Sequence, residues 1–194
     1  MAQFAPALAL TLKWEGGETV DTGGYTKWGI SQKAYPSLDI KNMTRAQMES
    51  IYRRDYWDKI QGDKIADQGA ANYLFDYAVN AGTGAAVKAA QSVLKNRFGK
   101  SVSIDGGMGP QTLAAINAVG GSFGPALAKY RADFYKALAA RDPAKYGKYL
   151  TGWLKRAGSF FSAAPVKVGG GALLLLGSVA GYFYLRSVKR GKRF

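Results

Sequence analysis

The chain has 194 residues, enough for one sizeable core, and sets 27 lysines and arginines against 13 acids, a formal charge of +14 that draws it towards polyanions. It contains no cysteine and no histidine. Cys-His and Ser-His-Asp nucleophiles and histidine- or thiolate-ligated zinc are therefore excluded, and any proton chemistry falls on carboxylates, tyrosines or lysines.

Residues 1–14 read as an amphipathic helix and not as a secretory signal, because their only charge, Lys13, stands at the far end. The stretch 16–29 is too punctuated by glycine for a helix and reads as a short β-hairpin or an irregular loop. Thr44-Arg45-Ala46-Gln47 is a capping-box pattern that predicts a helix over 45–57. Over 65–81, Ile65, Gly69, Tyr73 and Tyr77 recur every fourth residue and predict one buried helical face. The next helix is expected over 85–98, with Gly99 as its C-cap, and Pro110 opens another to about 118. Two more are expected over 125–140 and 143–157. Between them, Asp105-Gly106-x-x-Gly109 suits a tight turn; it lacks the acidic ladder of a calcium loop.

Residues 168–185 carry no charge and sit at the short end of the roughly 17–25 residues that cross a bilayer. Tyr182, Phe183 and Tyr184 stand near one boundary, followed by Arg186, Lys189, Arg190, Lys192 and Arg193 without an acid. The expectation is a single C-terminal transmembrane helix with a basic inner end, and Gly177 and Gly181 offer a GxxxG contact through which such helices would pair.

The chemistry concentrates in Trp14 to Ser31, which reads W-E-G-G-E-T-V-D-T-G-G-Y-T-K-W-G-I-S. Glu15 ends an apolar helix beside Trp14, a setting that disfavours the carboxylate and keeps a proton on it near neutral pH. Asp21 and Thr26 stand on the glycine-rich loop after it. A carboxylic acid and a second carboxylate that orders water are the minimum for inverting glycoside hydrolysis. Each residue also has a plainer role open to it: Asp21 as a turn cap, Tyr25 and Trp28 as core, and Asp76 and Asn80, four apart on one helical face, as a structural hydrogen-bonding pair instead of cleft lining.

This segment resembles the signature of glycoside hydrolase family 108, a lysozyme-superfamily group of phages and prophages: E-G-G, an aspartate, then G-G-x-T-x-[YW]-G-I-[ST]. Ile51-Tyr52, Tyr56-Trp57 and Phe75-Asp76-Tyr77-Ala78-Val79-Asn80-Ala81-Gly82 resemble its following helices. Ala90-Gln91-Ser92-Val93-Leu94, the run Ile104 to Leu113, and Gly152-Trp153-Leu154-Lys155-Arg156 resemble its C-terminal peptidoglycan-binding part. The likeness spans nearly all of residues 1–160. It implies a mainly α, lysozyme-like helical fold with a small glycine-rich hairpin or loop at the active site, a catalytic region at 1–84 and a helical wall-binding region at 85–160. A linker at 161–167, the transmembrane helix at 168–185 and a basic tail at 186–194 complete the expected organisation.

By that resemblance Glu15 is the general acid, and Asp21 and Thr26 hold the attacking water; from their side chains and placement, Tyr25 and Trp28 are candidates to stack on sugar rings and Asn80 to line the cleft. The bond implied is the β-1,4 link between N-acetylmuramic acid and N-acetylglucosamine in peptidoglycan, cut without cofactor or metal. The loop is shorter than the family's, and Thr22 stands where a proline is usual, which leaves Asp21, Glu18 and Thr26 all open as the group that orders the water. A lytic transglycosylase, needing the acid alone, and a non-catalytic wall-binding or assembly protein of a virion are the alternatives. The expected partners are peptidoglycan, membrane lipid through the C-terminal helix, and virion proteins, with pairing through the anchor and no specific nucleic acid. The expected location is a membrane of the virion or the host, with the catalytic region facing the wall.

Overall fold

The computed structural model describes residues 1–21 and 24–159. In chain order the elements are α1 (Phe4–Leu12), β1 (Glu18–Asp21), β2 (Gly24–Lys27), β3 (Ile30–Ser31), α2 (Arg45–Tyr52), α3 (Gln68–Ala81), α4 (Thr83–Phe98), α5 (Pro110–Val119), α6 (Phe123–Arg141) and α7 (Pro143–Gly158). The three strands form one antiparallel sheet in the order β1-β2-β3. Of the two readings of 16–29, the hairpin is the one observed.

Local chemistry explains most helix ends. The capping box at α2 is complete, with the Gln47 N–H donating to Thr44 Oγ1 at 3.3 Å and the Thr44 N–H to Gln47 Oε1 at 2.7 Å. Gly99 ends α4 in the left-handed region, and Pro110 and Pro143 open α5 and α7. Asp142 caps α7 by accepting from the Lys145 N–H at 3.1 Å. The helix expected over 45–57 changes hand-hold at Arg53: residues Arg53–Trp57 form a π turn, closed by the Asp58 N–H on the Arg53 carbonyl at 2.8 Å.

The core is built around α3, which packs against α1, α4 and α6, while α6 packs on α7. Residues Ala70 to Ala78 are all buried, so the single stripe expected from Tyr73 and Tyr77 understates a helix enclosed on every side. Its Phe75 meets Phe4 and Trp57 with ring centroids 5.8 and 5.6 Å apart, a cluster that ties α1 and the π turn to α3. Gly62 lies so close under Trp57 that an added Cβ would stand 2.3 Å from the indole ring. The Ala2 N–H donates to the Ile65 carbonyl at 2.8 Å, and Gln3 and Gln68 exchange backbone–side-chain bonds, which pins the start of the chain.

The fold corrects the expected architecture in its last element and the location drawn from it. Among the described residues no helix is long and apolar enough to cross a membrane. The longest, α6, has 19 residues but carries Lys129, Arg131, Asp133 and Lys136, which a bilayer interior would reject. The linker at 161–167, the span expected at 168–185 and the tail at 186–194 lie outside the described residues. The membrane location, the lipid contact and pairing through an anchor therefore gain no support from the fold.

Candidate active site

Glu15 leaves α1 through a tight turn in which the Trp14 and Glu15 N–H groups donate to the Thr11 and Leu12 carbonyls at 2.9 and 3.3 Å. The turn drives its side chain inward, where only 4% of the residue stays exposed. A charged group that deep needs a partner. It is Arg156, 141 residues along the chain on α7, whose Nη2 donates to Glu15 Oε1 at 2.7 Å.

The same Nη2 donates to Asp76 Oδ1 at 2.7 Å, and Arg156 Nε reaches both Asp76 oxygens at 3.1 Å. Arg131 of α6 takes the remaining side of Asp76, Nη1 to Oδ2 at 2.8 Å. Its Nη2 donates to Asn80 Oδ1 at 2.9 Å and its Nε to the Tyr135 hydroxyl at 2.9 Å; that hydroxyl donates in turn to Asn80 Oδ1 at 2.7 Å. Two carboxyls and two guanidiniums thus form one buried network, with Asp76 and Arg131 wholly enclosed.

The two carboxyls are pushed in opposite directions. Burial raises Glu15 above the ordinary glutamate value, and Arg156, which it shares with Asp76, only partly offsets this. Burial would also raise Asp76, but Arg156 and Arg131 together outweigh it and hold that carboxyl below the usual range. The divergence favours the protonated form of Glu15 and the ionised form of Asp76. With no exposed surface and two arginines on its oxygens, Asp76 has no access to a substrate.

The wall opposite Glu15 comes from the sheet. β2 and β3 are joined by the two-residue turn Trp28-Gly29, with φ of 49° and 76°, and Lys27 pairs with Ile30 across it. Both turn residues lie in the left-handed region, as a type I′ hairpin requires. Tryptophan is a poor occupant of that region, and its conformation is held by the Tyr52 hydroxyl, which donates to the Trp28 carbonyl at 2.8 Å. Gly29 then presses on the acid: an added Cβ would fall 2.6 Å from Glu15 Oε2 and 2.9 Å from the Tyr52 hydroxyl. Burial first, and Glu15 next, push the Tyr52 phenol far above its ordinary value, so it stays a neutral donor.

Glu15 opens on a pocket of about 20 Å3, room for roughly one water. Gly29, Ser31, Tyr35, Tyr52 and Asn80 are among its walls. Glu15 and Asn80 of the expected site residues meet there, Asn80 with its carbonyl bound by Arg131 and Tyr135, which leaves its amide NH2 as the group it can present. Thr26, Tyr25 and Trp28 are half-buried nearby but do not line this pocket. Thr26 pairs with Thr19 on one side and with pocket-lining Ser31 on the other. The Tyr25 hydroxyl donates to exposed Glu18 at 2.5 Å, and Lys27 adds an ion pair at 3.3 Å. Glu18 is thus engaged, its carboxyl lowered by the bonds from Tyr25 and Lys27. Lys27 Nζ stands 4.7 Å over the Trp28 ring. Asp21 is the last residue of β1, opposite Gly24. Among the described residues no three acidic side chains gather as a metal site would need.

Sequence reasoning did not find Arg131, Arg156, Tyr52 or Gly29 as site residues. Arg156 was visible only as the end of Gly152-Trp153-Leu154-Lys155-Arg156, and nothing local tied that motif to Glu15.

Residues 8–82 match the family model described as Glycosyl hydrolase 108, and residues 85–158 match that of the Predicted Peptidoglycan domain. Among solved structures, SagA of Brucella abortus is similar at 26% identity and a TM-score of 0.60, over 84% of this chain and 98% of SagA. No curated protein matches the chain.

Proposed function

We propose that this peptidoglycan hydrolase, with its glycosyl hydrolase 108 region at residues 8–82 followed by a Predicted Peptidoglycan domain at 85–158, is a muramidase that cuts the β-1,4 bond between N-acetylmuramic acid and N-acetylglucosamine, with Glu15 as general acid. The observation that carries the reading is the environment of Glu15: a carboxyl only 4% exposed, raised by that burial and opening on a small pocket. A protonated acid at that place delivers its proton to the leaving glycosidic oxygen.

The second group must come from elsewhere than Asp76. Asp76 shares a guanidinium nitrogen with Glu15 and so lies close enough for a retaining nucleophile, but its oxygens are taken by two arginines and it has no exposed surface. This favours an inverting route in which the hairpin supplies the water-ordering groups, Asp21 at the end of β1 and Thr26 on β2. Asn80, through its amide, Tyr25 and Trp28 are the sugar contacts in this reading. A lytic transglycosylase is the second reading. One observation favours it: among the described residues Glu15 is the only carboxyl that lines the pocket, and that reaction needs no second one.

Purified wall digested by the full chain, followed by analysis of the released muropeptides, decides between them. New reducing muramic ends that disappear with Glu15→Gln establish the muramidase. Anhydro-muramic ends establish the transglycosylase. Intact wall with the unaltered chain rejects both.

A further inference from the structure

A second cavity, of about 340 Å3, lies between the end of α3, α4 and α6, within the size range of small-molecule sites. Asn80 lines both this cavity and the pocket at Glu15, so the two share a wall. Its floor is made by Tyr77 and by alanines of α3 and α4, whose short side chains leave the space open. Its rim is Tyr130 and Phe134, one helical turn apart on α6 and 38% and 48% exposed, whereas Phe123 and Tyr135 of the same helix are buried. Lys88 completes the rim from α4, its stem lying along Gly106.

We propose that this cavity is a saccharide subsite that holds an uncharged N-acetylhexosamine ring, N-acetylglucosamine, of the same glycan strand that Glu15 cuts. The inference rests on the peptidoglycan reading above. Two exposed aromatic faces over a shallow apolar floor suit the C–H face of a pyranose and the methyl of its acetamide, while the Asn80 amide and the Tyr130 hydroxyl supply the few polar contacts that orient it. Charge selects the ring. Among the described residues its lining holds a single charged side chain, Lys88. A stem peptide, with its carboxylates, would need more positive charge than this rim has. The shared Asn80 joins the cavity to the site, and in this reading the strand runs from Glu15 past the end of α3 on to α6. Residues 85–158 then extend the catalytic cleft instead of forming a separate wall anchor.

The test uses the full chain bearing Glu15→Gln and β-1,4-linked oligomers of N-acetylglucosamine, with binding read by calorimetry and by amide chemical shifts. The hexamer is expected to shift amides around Phe134, and Tyr130→Ala with Phe134→Ala is expected to weaken its Kd about tenfold. Phe134→Leu, which keeps bulk and removes the ring, is the second variant should the double change disturb α6. An unaltered Kd in these variants, no binding of the hexamer, or shifts at Phe134 caused by a free stem peptide and not by the hexamer overturns the subsite. Wall cleavage by the unaltered chain is scored separately. Cleavage with an unaltered hexamer Kd removes the subsite alone; ring-sensitive hexamer binding without cleavage keeps the subsite and removes the muramidase.

Discussion

Arg156 is the residue whose replacement separates the site's electrostatics from its architecture. Its guanidinium gives Glu15 one hydrogen bond and Asp76 three, all in a buried setting. In Arg156→Gln both carboxyls lose their nearest cation, though Asp76 keeps Arg131 at 2.8 Å. Breaking one side of a buried ion pair costs about 3–5 kcal/mol. For a body of this size each kcal/mol lowers Tm by roughly 2–4 °C, so the melt should fall by about 6–20 °C. The pH profile carries the sharper test. Glu15 acts only while protonated, so kcat/KM falls as pH rises through its folded pKa. Burial raises that pKa and Arg156 opposes the rise, so removing Arg156 leaves burial less opposed and moves the alkaline limb to higher pH. Arg156→Lys keeps a charge but loses the planar fork, and its limb should stay nearer the original while stability still drops. The assay is wall turbidity loss across pH 4–9, on protein shown to be folded at each point. A lowered Tm with an unmoved alkaline limb would refute the electrostatic account and leave Arg156 as scaffold alone.

The other expectations follow from the same contacts. Glu15→Gln should abolish cleavage yet raise Tm at neutral pH: a carboxyl with a raised folded pKa opposes folding once ionised, so the variant's advantage is present above that pKa and shrinks as pH falls towards 4.5, which thermal melts across pH 4–8 would follow. A Tm at pH 7 below that of the unaltered chain contradicts this. Gly29→Ala puts a Cβ 2.6 Å from Glu15 Oε2 at a φ of 76°. It should cost about 1–2 kcal/mol in stability, and a displacement of the acid by about 1 Å should lower kcat on the order of a hundredfold; activity within threefold of normal would count against the packing described. Residues 1–84 expressed alone should fail to give a cooperative melt or cleave wall, because Glu15 and Asp76 lose both arginines and α3 loses the cover of α4 and α6; full activity of the fragment would disprove the dependence.

Most helices were legible because their signals are local. Thr44 and Gln47 close a capping box, Pro110 and Pro143 start helices, and Gly99 ends one, each by contacts within four residues. Where tertiary packing decided, the sequence misled or fell silent. Four-residue spacing in α3 marked one face of a helix that is buried all round, and no local pattern announced the π turn at Arg53. Trp28-Gly29 lacks the asparagine or aspartate that usually precedes glycine in a I′ turn, so its local sequence does not separate hairpin from loop; the contact that holds it comes from Tyr52, 24 residues along the chain. The site divides the same way. The motif around Trp14 and the following glycines singles out Glu15 as a candidate, but its partner lies 141 residues away and no spacing rule reaches that far. Glu18, one of the groups open for ordering water, is tied instead to Tyr25 and Lys27. The membrane span expected at 168–185 rested on its charge-free run, its aromatic boundary and the basic tail after it, and it lies outside the described residues.

The network also bears on how the two matched regions relate. A wall-binding module tethered to a catalytic one would keep its own core and meet its partner through a modest, mostly polar surface. Here α4 follows α3 after the single residue Gly82, and α3 is packed by α1 from the first region and by α4 and α6 from the second. The groups that settle the protonation of Glu15 are split in the same manner, with Glu15 and Asp76 before residue 82, and Arg131 and Arg156 after it. Uncompensated, either half would bury two like charges, a condition costly enough to forbid that packing. The carboxyls meet their guanidinium partners only when both are present, so the second region is part of the environment of Glu15 as much as part of the fold. Folding of α6 and α7 onto α3 therefore assembles the surroundings of the Glu15 carboxyl itself.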